Sequence, residues 1–146
     1  MDDSGDSSHG ALLAHVLLPV ANEEDARRTA RALEPYDPGR VSALHVVEKG
    51  EGVPDKTPVA QSEEQAEAAF AAIRGVFPDA SDHVAYDRDV LDAILETARE
   101  IDASAIAFRS REGGRLLQFL SGDLSIKLVT NADRPVIALP RGDQTA

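Results

Sequence analysis

The sequence predicts an α/β fold, a single doubly wound sheet of five parallel strands with helices on both faces. Three observations carry this prediction. The β-like segments are short, continuous apolar runs rather than alternating ones, as expected of strands covered on both sides. Most are followed by a stretch with helical apolar spacing, several opening on an Asn or Asp cap. Gly and Pro punctuate the junctions. Strands that alternate with helices pair in parallel through right-handed crossovers, and ligands of such sheets bind beyond the carboxyl ends of the strands, where strand order reverses.

The elements follow in order. Residues 1–10 are rich in Asp, Ser and Gly, bury no apolar surface and read as a disordered acidic tail. The domain spans 11–141, and 142–146 form a second tail. The first strand is Ala14-His15-Val16-Leu17-Leu18-Pro19-Val20. Asn22 then caps a helix whose first turn is Glu23-Glu24-Asp25 and whose inward face is Ala26, Ala30 and Leu33. Pro35, Pro38 and Gly39 end it, and Val41 to Val47 form the second strand. The connection from Glu48 to Thr57, with Gly50, Gly52 and Pro54, is longer than usual. Thr57-Pro58 opens a long helix with Ala66, Phe70, Ile73 and Phe77 inward, ending near Pro78. His83-Val84-Ala85-Tyr86 is the third strand, Asp89 caps a helix carrying Leu91, Ile94, Leu95 and Ala98, and Ser104 to Phe108 is the fourth strand. A last helix runs from about Gly122 to Asn131 with Leu124 and Leu128 inward, and Arg134 to Pro140 is the fifth strand, its prolines suited to an edge.

Composition narrows the function. The 146 residues carry a formal charge of −11, which repels nucleic acid and anionic membrane, so neither is an expected partner. Lysine occurs only at Lys49, Lys56 and Lys127, against 26 Asp and Glu, a balance suited to a salt-accumulating cytoplasm where carboxylates keep a surface hydrated. An ordinary acidic cytosolic protein is the alternative. No apolar run is long enough for a membrane helix, and the acidic start lacks the basic and apolar regions of a signal peptide. With no cysteine and four scattered histidines, neither a disulfide nor a bound metal is expected.

Leu17-Leu18-Pro19-Val20, Leu44-His45-Val46-Val47, Ile94 to Ala98 and the ending Arg134-Pro135-Val136-Ile137, in this order and spacing, resemble the universal stress protein family from about His15 to Arg141. The resemblance implies strand order 3-2-1-4-5 and a homodimer paired through strand five, at Val136, Ile137, Ala138 and Leu139. Nucleotide-binding members carry Gly, two residues, Gly, nine residues, then Gly and Ser or Thr. Set in register on the Pro135-Val136 ending, Gly122 matches the last glycine, whereas Arg109 and Glu112 replace the others and Asp123 takes the hydroxyl position. Ala21 follows Pro19-Val20 where an acidic residue usually faces the ribose, with Asn22 the nearest polar group. Val46 matches the residue whose backbone meets the adenine, and His45 reads as a core histidine before it reads as a ligand.

Arg109, Arg111 and Arg115 are concentrated in one segment of an acidic chain, and guanidinium suits bidentate phosphate recognition. Gly113 and Gly114 could add backbone amides, and Ser121, Gly122 and Asp123 open the next helix. The competing readings are ion pairing of these arginines with local carboxylates, and a protein contact involving Leu116, Leu117 and Phe119. Catalytic signatures are lacking: there is no nucleophile elbow, zinc-binding helix or Walker loop. The expected function is therefore a stress-response binding or interaction module, not an enzyme, that does not hold ATP in the family's usual way. The alternative keeps ATP, AMP or a small anion on a rebuilt arginine and glycine loop after strand four.

Overall fold

The computed structural model describes residues 12–48, 57–109 and 122–140. Its five strands are β1 (His15–Pro19), β2 (Arg40–Glu48), β3 (Ser81–Asp87), β4 (Ala105–Arg109) and β5 (Val136–Leu139). They form one parallel sheet in the order β3-β2-β1-β4-β5. Four α-helices lie among the described residues: α1 (Glu23–Leu33), α2 (Thr57–Val76), α3 (Val90–Glu100) and α4 (Gly122–Asn131). The tails and the connection after Glu48 lie outside the described residues.

Side chains that alternate along β1 divide the core in two. Val16, Leu18 and Val20 face α1 and α2, meeting Ala26, Ala30, Phe70 and Ile73. Leu17 faces the other way, onto Leu44, Ile94, Ile106 and Leu128. Each fully buried Leu or Ile contributes roughly 1.5–3 kcal/mol relative to leaving it in water. The apolar positions expected from helical spacing in α1, Ala26, Ala30 and Leu33, are buried; in α3 Ile94 and Ala98 are buried, whereas Leu91 and Leu95 are half-buried and the buried face is completed by Val90, Ala93 and Thr97.

Boundaries shift where pairing or chain chemistry overrides the apolar pattern. β3 reaches from Ser81 to Asp87 because seven consecutive residues pair with Ser42 to Glu48, including polar ones that propensity alone leaves out. β4 begins one residue later than expected and ends one later, at Arg109, which pairs with Leu139. β5 is limited to four residues. Arg134 is not part of it: its Nη1 donates to the carbonyls of Ala98 (3.1 Å) and Ala103 (2.7 Å), satisfying acceptors at the end of α3. Ser104 also leaves the strand to act as a stitch, its Oγ donating to the Leu12 carbonyl at 2.9 Å and accepting from the His15 N–H at 2.9 Å. After Leu33 the chain tightens into a 3-10 turn over Glu34–Tyr36, with Pro35 inside it.

Gly39 sets the entry to β2. Its N–H donates to the Leu13 carbonyl at 2.8 Å, and a Cβ there would lie 2.8 Å from the Ala14 carbonyl oxygen. That neighbour is backbone and cannot rotate away. Gly75, exposed in α2, has nothing within 4 Å of its notional Cβ.

The two glycines therefore predict opposite signs. Gly39→Ala should lower unfolding stability by about 1–3 kcal/mol through overpacking, and Gly75→Ala should raise it by about 0.5–1 kcal/mol through helix propensity. Urea denaturation of both variants checks this, and equal effects would contradict the packing at Ala14.

Candidate functional site

Strand order reverses between β1 and β4, so the crevice lies beyond their carboxyl ends. β1 delivers Val20, Ala21 and Asn22 to it. The Val20 N–H still donates to the Leu44 carbonyl at 2.9 Å, so the chain leaves the sheet only after that residue. Val20 is buried, and Ala21 and Asn22 are half-buried at the turn.

The turn consumes its own donors. Asn22 Oδ1 accepts the Asp25 N–H at 2.9 Å, the expected helix cap. Asp25 Oδ2 returns to accept the Ala21 N–H at 2.9 Å, which makes a variant of the capping box. Asp25 is only 3% exposed, although the sequence places it merely in an acidic first turn. Its carbonyl accepts the Thr29 hydroxyl at 2.7 Å. The spacing Asn22-x-x-Asp25 was the signal that could have singled it out, and it supplies a carboxylate close to the turn that the residue count after Pro19 does not reveal.

Two more polar side chains are buried on the same face of the sheet. Arg109 is 3% exposed and shares its side of β4 with Ala107, the side covered by α1 and α2. The expectation that it is a loop residue is corrected here: pairing of β4 with β5 continues through Arg109 and draws it into the sheet. His45 is 5% exposed, and its Nδ1 has no hydrogen-bond partner among the described residues. Burial lowers the pKa of His45 below the ordinary 6.5, and the backbone of Val20 and Ala21 pulls it partly back up.

The remaining expected residues divide clearly. Val46 is buried against the α3 side, which leaves its backbone as the part able to meet a ligand. Gly122 and Asp123 open α4. Arg111, Gly113, Gly114, Arg115 and Ser121 lie outside the described residues, as do Leu116, Leu117 and Phe119. An open groove of about 430 Å³ adjoins the β1 turn, lined by Asn22, Glu23, Glu64, Gln65 and Ala68. Its two glutamates would repel a phosphate.

At the opposite end of the sheet, His15 Nε2 lies 2.8 Å from Ser42 Oγ. This resembles a nucleophile and base, yet Ser42 is 1% exposed and no substrate can reach it. Among the described residues no group of three His, Asp or Glu is placed to hold a metal.

The universal stress protein family model matches residues 13–140. No curated protein matches the chain. Among solved structures it is similar to a universal stress protein from Archaeoglobus fulgidus, with 20% identity, 86% of this chain and 98% of that chain covered, and a TM-score of 0.66. It is also similar to the universal stress protein from Archaeoglobus fulgidus in complex with dAMP, at 22% identity, 88% and 98% coverage and a TM-score of 0.65. A universal stress protein in complex with cAMP matches at 17% identity, 88% and 99% coverage and a TM-score of 0.51. At these identities the likeness shows the fold.

Buried His45 and half-buried His15 predict a pH dependence. Burial also lowers the pKa of His15, with Arg40 and His83 adding to the effect and Asp102 opposing it. A histidine whose folded pKa lies below its unfolded value leaves the unfolded chain binding more protons. The stability it contributes is complete above pH 6.5 and is lost as pH falls through the lowered value. Ring-proton NMR titration should give midpoints below 6.5 for both residues. His45→Asn should flatten the fall in urea midpoint between about pH 7 and about pH 5. A His45 midpoint at or above the ordinary value would contradict its burial.

Proposed function

The chain belongs to the universal stress protein family, and from that premise we propose that it is a stress-response binding and interaction module that does not hold ATP in the family's usual mode. The single observation that carries this is the closed β1 turn. Its Ala21 N–H is occupied by Asp25 and the Asp25 N–H by Asn22, so two amides that could face an incoming ligand are already bonded. The flanking groove adds Glu23 and Glu64. Arg109 supports the same reading. A buried guanidinium stands where the resemblance expects a glycine, and a large side chain keeps a phosphate from the close backbone approach that glycine permits.

The module is a binder and not a catalyst: the only His–Ser hydroxyl pair among the described hydrogen bonds is sealed from substrate. Its site of action is the cytoplasm, in keeping with the absence, among the described residues, of a helix long and apolar enough to cross a membrane. The excess of carboxylates fits a salt-accumulating cell. It forms a homodimer through β5, whose outer edge has no neighbouring strand among the described residues and carries half-buried Val136 and Ile137 beside Ala138 and Leu139. The preceding helix adds exposed Ile126 and Val129.

A second reading is favoured by the dAMP and cAMP complexes of similar proteins. It holds ATP, AMP or a small anion on Arg111, Gly113, Gly114 and Arg115, with the start of α4 at Gly122 supplying an amide.

Protein purified in high salt should carry no nucleotide, and its melting temperature should not move at millimolar ATP with Mg²⁺. A ligand at a hundred times its dissociation constant would stabilise the fold by roughly 2.7 kcal/mol, so a binder is readily seen. A shift abolished by Arg111→Ala with Arg115→Ala would replace the first reading with the second. Sedimentation at micromolar concentration in high salt should give a dimer, and a monomer would contradict pairing through β5.

A further inference from the structure

The other edge of the sheet has a different character. Among the described residues β3 ends the sheet at the side opposite β5, and its seven residues pair one for one with β2, with no bulge. It contains no Pro, Lys or Arg, the residues that commonly block an edge against another strand. A cavity of about 320 Å³ runs beside it, bounded by residues 83–87 and by Glu96, Thr97 and Glu100 of α3. Because side chains alternate between faces, five consecutive lining residues mean that the cavity follows the strand itself. Its charged lining is Asp87, Glu96 and Glu100, with His83 as the one imidazole. The basic residue nearest the start of the strand, Arg74, is engaged by Asp82 at 3.0 Å. On the opposite face Val84 and Tyr86 are 40% and 46% exposed, the tyrosine hydroxyl donating to Glu63 at 3.0 Å.

We propose that the outer edge of β3 is a docking site for an extended basic segment of another protein, which adds to the sheet as a sixth strand. Backbone hydrogen bonds supply attachment, and the two faces supply selection. Residues of the incoming strand on the α3 side meet Asp87, Glu96 and Glu100 and are basic, whereas those on the other side meet Val84 and Tyr86 and are apolar. Charge complementarity decides the occupant. A second copy of β3 would bring its own Asp82 and Asp87 against an acidic edge, and the amino-terminal segment of this chain carries Asp2, Asp3 and Asp6 without Lys or Arg. The carboxylates thus oppose pairing with a second β3 or with the amino-terminal segment and favour a basic strand.

The probe is a fluorescent peptide of alternating valine and lysine with the length of β3, 7 residues. It should bind saturably at low salt and slow hydrogen exchange of the amides in residues 81–87. An alternating valine and glutamate peptide should not bind. Glu96 and Glu100 are exposed, so Glu96→Lys with Glu100→Lys should leave the melting curve intact while weakening the lysine peptide about tenfold or more. The same variant should gain affinity for the glutamate peptide. N-methylation of alternate peptide amides keeps the charge and removes the ladder donors, and in one of the two registers should abolish binding to the unmodified protein. Equal binding of the lysine peptide and both N-methylated forms would show unspecific attraction to an acidic protein and overturn the proposal. So would unchanged exchange at residues 81–87, or indifference to Glu96→Lys with Glu100→Lys.

Discussion

Burial of β1 on both faces is the constraint on which the rest of the structure depends. Val16, Leu17 and Leu18 are completely sequestered, and a strand with no exposed side needs a strand at each edge and a helical layer above and below. β2 and β4 supply the edges, α1 and α2 one layer, and α3 and α4 the other. Since neighbouring strands run parallel, each must return through a crossover, which collects all carboxyl ends on one side of the molecule. The crevice is a consequence of that geometry and exists whether or not a ligand uses it.

What the crevice can do depends on polar groups that the same burial has dried out. Asp25, His45 and Arg109 are each more than nine-tenths buried near the strand ends, where an ionised or polar group must be satisfied within the protein. Asp25 achieves this by accepting the Ala21 N–H, and that bond also fixes the turn between β1 and α1. Any anion reaching this turn would compete for an amide already bound by a buried carboxylate and would meet Glu23 and Glu64. The outer surface contributes less: the pairs Arg27 with Glu23 and Arg28 with Glu24 are close to half exposed and, like most such pairs, add at most a fraction of a kcal/mol that salt screens further, about 0.3–0.5 each.

The two sheet edges differ in length and in chemistry. β5 is short and presents aliphatic side chains, which suits a self-complementary contact. β3 is longer and flanked by carboxylates, and among the described residues its outer edge has no neighbouring strand. Neither property follows from strand propensity. Both follow from which strands the topology leaves at the margins.

The class of fold, the order of its elements and the buried face of α1 were legible in the chain alone, because apolar runs, helical spacing and the caps at Asn22 and Asp89 are local signals with local causes. The resemblance set in register also placed Arg109, Glu112 and Asp123 at the positions where nucleotide-binding members of the family have glycines and a hydroxyl. Which polar residues lie inside was set by packing between elements distant in sequence. Asp25 looked like one of three surface acids, Arg109 like a loop cation, Arg134 like the start of a strand, and Ser81, Asp82 and Asp87 like connections. Each changed role because a partner distant in sequence or an overlying helix closed over it: Leu139 beside Arg109, the Ala98 and Ala103 carbonyls at Arg134, β2 alongside β3. A polar side chain's burial is set by what packs on it, and periodicity along one element carries no record of that.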